Sequence, residues 1–158
     1  MRRFIHCGDT GFAEAVFRQI GSAFGARFDL ALIPIGAYHP RWFLKYQHVD
    51  PAEAVKIHRL LGRPRLSLGM HWGTFILTDE PIDEPPQLLA AAMAAADASP
   101  TAAGSFSADR FVALQHGETV WTPAQPAAAA GSTRSGAAAN AAPRCLRLDA
   151  SGGEAGPH

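Results

Sequence analysis

Three short apolar runs, separated by two amphipathic stretches, limit the folds open to this chain more than any other feature. The runs cover residues 2–7, 29–33 and 65–70, and the stretches between them cover 12–24 and 50–61. Apolar side chains recur at helical spacing in both stretches, and each stretch is long enough to form a crossover helix. Strands joined by such crossovers favour parallel or mixed pairing, so the sequence predicts an α/β fold.

The second half of the chain contains a break in composition. Before the break, alanine-rich residues 87–96 predict a helix, and two apolar segments at 111–114 and 118–121 predict a closing hairpin. After it, the sequence is rich in Ala, Gly, Ser and Pro and has too few large apolar side chains to offset the entropy of ordering. We therefore predict one domain over residues 1–121 and a disordered tail over residues 122–158.

Charge, cysteine content and hydropathy exclude several classes of partner and location. Lys+Arg and Asp+Glu number 14 each, so no net charge attracts the chain to nucleic acid, and we expect no nucleic-acid partner. The two cysteines lie far apart in the sequence, which argues against a disulfide framework and indicates a reducing compartment. No apolar run is long enough for a signal peptide or a membrane span, so the expected location is cytoplasmic.

Two of the apolar runs end at a side chain that can bind a metal ion. Asp9 follows the first run in a Gly-Asp-Thr-Gly turn, and His71 follows the third run before a Trp-Gly-Thr loop. The carboxyl ends of parallel strands converge at the binding crevice of an open α/β sheet, so the two residues are candidates for one site. A carboxylate and an imidazole suit zinc. The alternative interpretation is a simple turn at Asp9 and a hydrogen-bonded packing histidine at His71.

The segment before the second amphipathic stretch, residues 35–49, is predicted to be a long loop. Loops of this length in compact domains often carry function. Three of its side chains, Trp42, Phe43 and Tyr46, are aromatic. They form either an apolar mouth for acyl chains or ordinary anchors of the loop.

Polar residues elsewhere have less specific interpretations. His6 alternates along the first run beside Asp9 and is a candidate for supporting the metal ligands from behind. His58 lies near the inner face of its predicted helix and is expected to pack there. The acidic residues between 79 and 84 are expected to form a solvated loop.

Four segments of the chain together resemble the C-terminal half of a metallo-β-lactamase-fold hydrolase, in particular the N-acyl-phosphatidylethanolamine-hydrolysing phospholipase D group. The Arg-Trp-Phe and Gln-His-Val-Asp-Pro blocks within them are the most specific. The resemblance covers about residues 2–121 and does not extend into the tail. The four segments are residues 4–11, 28–38, 40–55 and 70–75.

The resemblance implies a fold, a reaction and roles for four residues. The fold is the αββα sandwich of two sheets between helices, and this chain resembles one half of it, a mixed sheet with outer helices. In the family, two zinc ions activate a water that attacks the phosphodiester phosphorus, and the amine-bearing lipid is released from phosphatidic acid. Asp9 matches the catalytic aspartate that bridges the two zinc ions, and His71 matches a ligand of one of them. Gln47 and His48 match substrate-binding residues at the active-site mouth, with local hydrogen bonding as the equal alternative.

Departures from the family pattern limit what this chain is expected to do. The His-x-His-x-Asp-His motif and the separate histidine that supply the remaining zinc ligands do not occur in the 158 residues. His39 also stands where the family usually has an acidic residue. Because the resemblance begins near Met1, about half of the family's fold is expected to lie outside this chain. We therefore expect a fragment of a zinc-dependent phosphodiesterase that is inactive alone.

A missing partner sheet would have a structural consequence. It would leave an apolar sheet face uncovered, which predicts association, including homo-oligomers, or partial unfolding. The side chains expected on that face are Leu32, Ile33, Leu66 and Leu68. A lipid or other phosphodiester substrate is the expected partner once the fold is completed, and peripheral contact with a membrane stays open. The alternatives are a non-catalytic truncated remnant and a metal-free module that binds lipid or a partner.

Overall fold

The computed structural model describes residues 2–24, 28–97 and 110–122. The chain divides into two compact units, Met1–Ala113 and Leu114–His158. The helices and strands of the described ranges lie in the first unit, in the order β1 (Phe4–His6), α1 (Glu14–Ala23), β2 (Leu30–Pro34), α2 (Arg41–Leu44), α3 (Pro51–Leu60), β3 (Ser67–Met70), α4 (Glu84–Asp97) and β4 (Phe111–Ala113).

The four strands form one sheet in the order β1-β2-β3-β4, and each neighbouring pair is parallel. Every connection between consecutive strands contains at least one helix, since parallel strands need a long crossover. This arrangement confirms the predicted α/β class. It also brings the carboxyl ends of all four strands to the same edge of the sheet, where ligands bind in folds of this kind.

The predicted closing hairpin is wrong. β4 pairs in parallel with β3, with Phe111 opposite Ser67, because α4 carries the chain back along the sheet before β4 begins. In the second unit, the backbone N–H of Glu118 donates to the carbonyl oxygen of Gln115 at 2.9 Å and closes a turn. The tail predicted to be disordered, residues 122–158, lies outside the described residues except at its first position.

Two helices differ from the sequence prediction. α2 occupies four residues inside the predicted loop, too short a helix for apolar periodicity to indicate. α4 begins at Glu84 rather than at residue 87, because Pro85 and Pro86 fall in its first turn, where a missing N–H breaks no helical hydrogen bond. None of the helices in the described ranges combines the length and the apolar character needed to cross a bilayer.

One face of the sheet carries the core of the first unit. Ala31 and Ile33 of β2 are fully buried and belong to one apolar cluster with Ile57 of α3. α3 begins at a capping box, in which the Asp50 carboxylate accepts from the backbone N–H of Glu53 at 2.8 Å and the Glu53 carboxylate accepts from that of Asp50. Both ends of this cap are encoded locally, so the start of α3 follows the sequence prediction.

A buried polar contact joins α3 to the sheet. Nδ1 of His58 lies 2.8 Å from the hydroxyl oxygen of Ser67 in β3, and both residues are fully buried. The His58 ring also stacks on Phe111 of β4, with ring centroids 5.5 Å apart. The hydrogen bond offsets part of the cost of burying an imidazole, so His58 is a packing residue, as its helical position predicts.

The opposite face of the sheet carries no helix among the described residues. Leu32 of β2 and Leu68 of β3 are opposite each other and only partly buried, and Phe4 of β1 is 70% exposed. Ile33 does not share this face, contrary to the sequence-based expectation, because successive side chains of a strand point to opposite faces. Leu66 is fully buried as well. The uncovered apolar face is therefore real but narrower than predicted.

Candidate metal centre

Asp9 and His71 lie together at the carboxyl ends of the strands. Asp9 belongs to the turn after β1, where Gly8 adopts a positive φ of 62°, and His71 directly follows β3. A carboxylate oxygen of Asp9 is 3.3 Å from Nε2 of His71. The Asp9 side chain is 64% exposed and that of His71 is 25% exposed, so the pair opens to solvent on the carboxylate side.

The backbone of His71 adopts a conformation that is rare for a residue with a side chain. Its φ is 61°, in the left-handed region, which costs free energy and persists where the surroundings fix it. Gly36 is part of these surroundings, because a Cβ atom there would clash with the carbonyl oxygen of His71 and crowd the side chain of Trp72. The turn that presents His71 therefore depends on a glycine just after β2.

His48 joins Asp9 and His71 in one cluster. One potential ligand atom from each of the three side chains lies within 4.8 Å of the other two. The imidazole rings of His48 and His71 stack, with centroids 5.1 Å apart and planes inclined by 30°. Sequence reasoning placed His48 at the mouth of the site, whereas the structure places it among the candidate metal ligands.

Arg41 holds His48 in this position. Its guanidinium donates to the carbonyl oxygen of His48 at 2.7 Å and to the carboxylate of Glu53 at 2.6 Å. The backbone N–H of His48 in turn donates to the carbonyl oxygen of Leu44, the last residue of α2, at 2.8 Å. His48 is thus tied to α2 on one side and to the cap of α3 on the other. The Arg-Trp-Phe block and the capping box were the sequence signals, but nothing local connected them to His48.

A polar groove of about 380 Å³ runs beside Asp9. The exposed side chain of Gln47 lines it together with His48. Gly11 allows the Asp9 turn to lie against the loop, because a Cβ atom at Gly11 would clash with the carbonyl oxygen of Tyr46. The structure therefore brings Gln47 and His48 to the groove that contains Asp9, and their substrate-binding role stays a prediction.

An apolar cavity of about 300 Å³ lies on the other side of His71. Its walls include Trp72 and the segment 75–77, whose three apolar side chains are each at least 66% exposed. Ile82 lines the same cavity. A solvent-open apolar cavity next to polar side chains is the usual form of a small-molecule site, and sequence reasoning gave no indication of it.

Glu80 fixes the wall of this cavity. Its carboxylate accepts hydrogen bonds from the backbone N–H groups of Ala37 and His39, at 2.6 and 2.9 Å, and from the hydroxyl of Thr78 at 2.7 Å. Burial alone would raise the pKa of Glu80, but these hydrogen bonds outweigh burial and hold the pKa below its usual value. The expectation of a solvated acidic loop is wrong at Glu80, because its partners lie about 40 residues away and no local pattern marks them.

Residues 1–72 match the family model described as the β-lactamase superfamily domain. N-acyl-phosphatidylethanolamine-hydrolyzing phospholipase D 1 of Caenorhabditis elegans is 57% identical over 74 residues, which are 47% of this chain and 20% of that protein. The first half of this chain belongs to the metallo-β-lactamase superfamily.

Two further relatives agree with this assignment. The mitochondrial N-acyl-phosphatidylethanolamine-hydrolyzing phospholipase D of Saccharomyces cerevisiae is 44% identical over 84 residues, 53% of this chain and 18% of that protein. An uncharacterized Mycobacterium tuberculosis protein is 42% identical over 87 residues, 54% of this chain and 22% of its own length. The resemblance to the phospholipase D group is confirmed, and this chain spans about a fifth of the length of these relatives.

Membership of the metallo-β-lactamase superfamily implies a hydrolase that uses metal, typically zinc, and the site fits zinc. Two ligand atoms bound at roughly 2.1 Å to a tetrahedral zinc ion lie about 3.4 Å apart. The Asp9 oxygen and the His71 nitrogen lie 3.3 Å apart without rearrangement. An imidazole and a carboxylate are also donors that zinc accepts.

The two histidines of the cluster differ from freely solvated ones. Burial lowers the pKa of His48, and the neighbouring His71 lowers it further, against a smaller opposing effect of the Asp9 and Glu80 carboxylates. The His48 ring is therefore held in its neutral form, which is the form that binds metal. Nδ1 of His48 and Nδ1 of His71 are both buried, and neither makes a hydrogen bond with the described residues.

Two residues near Asp9 take other roles. Nδ1 of His6 accepts a hydrogen bond from the backbone N–H of Gly8 at 3.0 Å, so His6 shapes the turn that carries Asp9. This contact agrees with the supporting role expected of His6. Cys7 lies outside the cluster, and burial raises the pKa of its thiol to about 11, so the thiolate needed for metal binding does not form near neutral pH.

Proposed function

We propose that this chain supplies Asp9 and His71 to the metal centre of a zinc-dependent phosphodiesterase that acts on N-acyl-phosphatidylethanolamine-like lipids. The observation that carries the proposal is the 3.3 Å contact between the Asp9 carboxylate and Nε2 of His71 at the carboxyl ends of parallel strands. Identity to two phospholipases D over the same part of the chain supports the substrate class.

The chemistry divides between the metal and the protein. Zinc, when bound, supplies Lewis acidity that activates water and neutralises charge on a phosphoryl oxygen. Asp9 and His71 would hold the ion, and the exposed Asp9 side chain faces the groove through which a phosphodiester would enter. The amide of Gln47 would orient the headgroup from the opposite wall.

The two concavities around the site match the two ends of a lipid. The groove beside Asp9 is polar, and the cavity beside His71 is lined by the apolar segment 75–77 and Ile82. A headgroup in the groove would leave an acyl chain near the cavity, where burial of each methylene contributes about 0.8 kcal/mol. This division supports a lipid rather than a fully polar phosphodiester.

A chimera tests this proposal. The 74-residue segment of this chain that matches the Caenorhabditis elegans relative replaces the corresponding segment of that enzyme, and hydrolysis of N-acyl-phosphatidylethanolamine in vesicles is measured with zinc. We expect hydrolysis in the chimera and its loss in Asp9→Asn and His71→Asn. Glu14→Gln, an exposed change on α1, serves as the control. A folded, zinc-loaded chimera without hydrolysis would overturn the proposal.

The 158-residue chain alone is expected to be inactive. Among the described residues, the site offers three candidate ligands for one ion, whereas the resemblance implies a centre of two zinc ions. Measurable turnover of a phosphodiester by the pure chain with zinc would contradict this expectation. Tight stoichiometric zinc binding by the pure chain would instead contradict the alternative of a non-catalytic remnant.

Lipid binding without metal is a second candidate function, favoured by one surface. Trp42, Phe43 and Tyr46 are each more than 60% exposed and form an aromatic patch with Lys45. Trp and Tyr are enriched where proteins meet the membrane interface. In this case the chain would bind phospholipid vesicles without zinc, Asp9→Asn would bind equally, and Trp42→Ser with Phe43→Ser would bind less. Absence of vesicle binding would exclude this function.

A further inference from the structure

We infer that His48 is a direct metal ligand, so that Asp9, His48 and His71 of this chain hold one divalent transition-metal ion between them. The inference deepens the proposed function, because it concerns the same centre. It can nevertheless be tested in a chain that hydrolyses nothing, since it is a statement about metal binding.

The distances within the cluster are close to those of a coordinated ion. The Asp9–His71 pair, at 3.3 Å, already has the separation of two ligand atoms on a tetrahedral ion. Ligand atoms of all three side chains lie within 4.8 Å of one another. Closing the remaining distance needs only a change of side-chain torsion at Asp9, which is 64% exposed and free to turn.

The His48 ring is presented by a rigid corner rather than by a mobile loop. Its carbonyl oxygen and its backbone N–H are both bonded, to the guanidinium of Arg41 and to the carbonyl oxygen of Leu44. Arg41 is itself fixed by the Glu53 carboxylate of the α3 cap. A backbone held from both sides reduces the entropy lost when the ring binds an ion, which is how a preformed ligand set gains affinity.

The ring of His48 is available for coordination. Nδ1 is buried and makes no hydrogen bond within the described ranges, so an ion or a ring rotation would break no existing bond there. A buried polar atom without a partner costs free energy, and a ligand contact would remove that cost. A headgroup-binding role in the exposed groove gives no reason for the close stacking of His48 on His71.

The donor set also specifies the class of ion. Two imidazoles and one carboxylate suit zinc and cobalt(II) and do not suit magnesium or calcium, which prefer oxygen ligands throughout. Three protein ligands leave one position of a tetrahedral ion open, as catalytic zinc sites do and closed structural sites do not. The chain therefore presents an open site for one ion.

Metal titration of the purified full-length chain tests the inference. Zinc affinity is measured by competition with a chromophoric chelator, and cobalt(II) absorption in the visible range reports the coordination geometry. We expect one ion per chain. His48→Gln should weaken zinc binding by more than about tenfold and reduce the cobalt(II) band. His39→Gln, a change of an exposed histidine in the same loop, is the matched control and should bind zinc as the unchanged chain does.

A second measurement requires no variant. In long-range ¹H–¹⁵N spectra of the unchanged chain, zinc should shift a ring nitrogen of His48 together with one of His71 and leave those of His39 in place. Equal zinc affinity in His48→Gln and the unchanged chain, or no shift at His48, would overturn the inference and leave His48 as a groove residue. Absence of zinc binding by the unchanged chain would overturn it as well, while hydrolysis by the chimera would still decide the proposed function.

Discussion

At the scale of single residues, the site depends on positions where the preferred conformation is given up. His71 has a φ of 61°, a backbone conformation that β-branched and bulky residues avoid. Glu80 is a carboxylate bonded by backbone groups of a distant loop rather than by solvent. Both features fix the end of β3 and the loop around Ala37, and both are expected to respond to substitution in characteristic ways.

Two substitutions at His71 should separate backbone strain from metal binding. Asn tolerates a positive φ, so His71→Asn should change the free energy of unfolding of the metal-free chain by less than about 1 kcal/mol while removing a zinc ligand. Val does not tolerate it, so His71→Val should destabilise by a further 1–2 kcal/mol or so. Urea unfolding measures both. Equal stability of the two variants would contradict the role of the left-handed backbone.

Substitution at Glu80 should change how stability depends on pH. The pKa of Glu80 is lowered in the folded chain, so its carboxylate stabilises the fold above the unfolded value of about 4.3, and this contribution is lost as pH falls through the folded pKa. Glu80→Gln should therefore be less stable at neutral pH, by about 1–3 kcal/mol, and show a flatter acid limb. Urea unfolding between neutral pH and pH 3 measures this. Glu14→Gln, in an exposed ion pair, should keep the acid limb of the unchanged chain.

At the scale of elements, the corner between α2 and α3 connects a helix cap to the site. The capping box starts α3, and Arg41 links the Glu53 carboxylate of that box to the carbonyl oxygen of His48. The same side chain also lies 3.6 Å from the Asp50 carboxylate. An arginine can bridge these acceptors with its planar fork of donors, whereas a lysine offers a single ammonium.

Arg41→Lys should therefore loosen the corner without removing the charge. We expect a loss of about 1–2 kcal/mol of stability and weaker zinc binding, because His48 is no longer held by its carbonyl oxygen. Arg18→Lys on α1 is the control, since its ion pair with Glu14 is exposed and contributes little. Thermal unfolding and zinc titration measure both effects. Unchanged zinc affinity in a destabilised Arg41→Lys would show that the corner supports the fold and not the site.

At the scale of the whole molecule, the described sheet is covered by helices on one face. The other face presents partly exposed apolar side chains of three strands, including Leu32 and Leu68. Contiguous apolar surface of this kind favours association. The core beneath the helices is continuous from Phe17 of α1 to Phe111 of β4, so the first unit has a core of its own to which such an association would add.

We expect the purified chain to associate as its concentration rises. Leu32→Lys combined with Leu68→Lys should shift it toward monomer, because lysines on the uncovered face remove apolar area and add like charges. Leu88→Lys, an exposed position on α4, should leave association unchanged. Sedimentation velocity over a range of concentrations measures the three proteins. A monomer at every concentration would show that the face is covered.

Local patterns made some features predictable from the sequence. The strands β1, β2 and β3, the cap of α3 and the strand-end positions of Asp9 and His71 depend on residues close together in the chain, so periodicity and turn chemistry could indicate them. α2 was missed because four residues show no period. The parallel pairing of β4 was missed because a turn sequence at 115–117 predicted a hairpin that the crossover through α4 overrides.

The sequence by itself determined that an aspartate and a histidine would reach one edge of a parallel sheet, since each directly follows its own strand. Only the tertiary structure decided that His48 joins them, that Arg41 holds it there, and that Glu80 closes the loop at the neighbouring cavity. These contacts join residues 7 to 43 positions apart in the chain. Their partners are chosen by packing and by the need of buried polar groups for hydrogen bonds, neither of which a local pattern records.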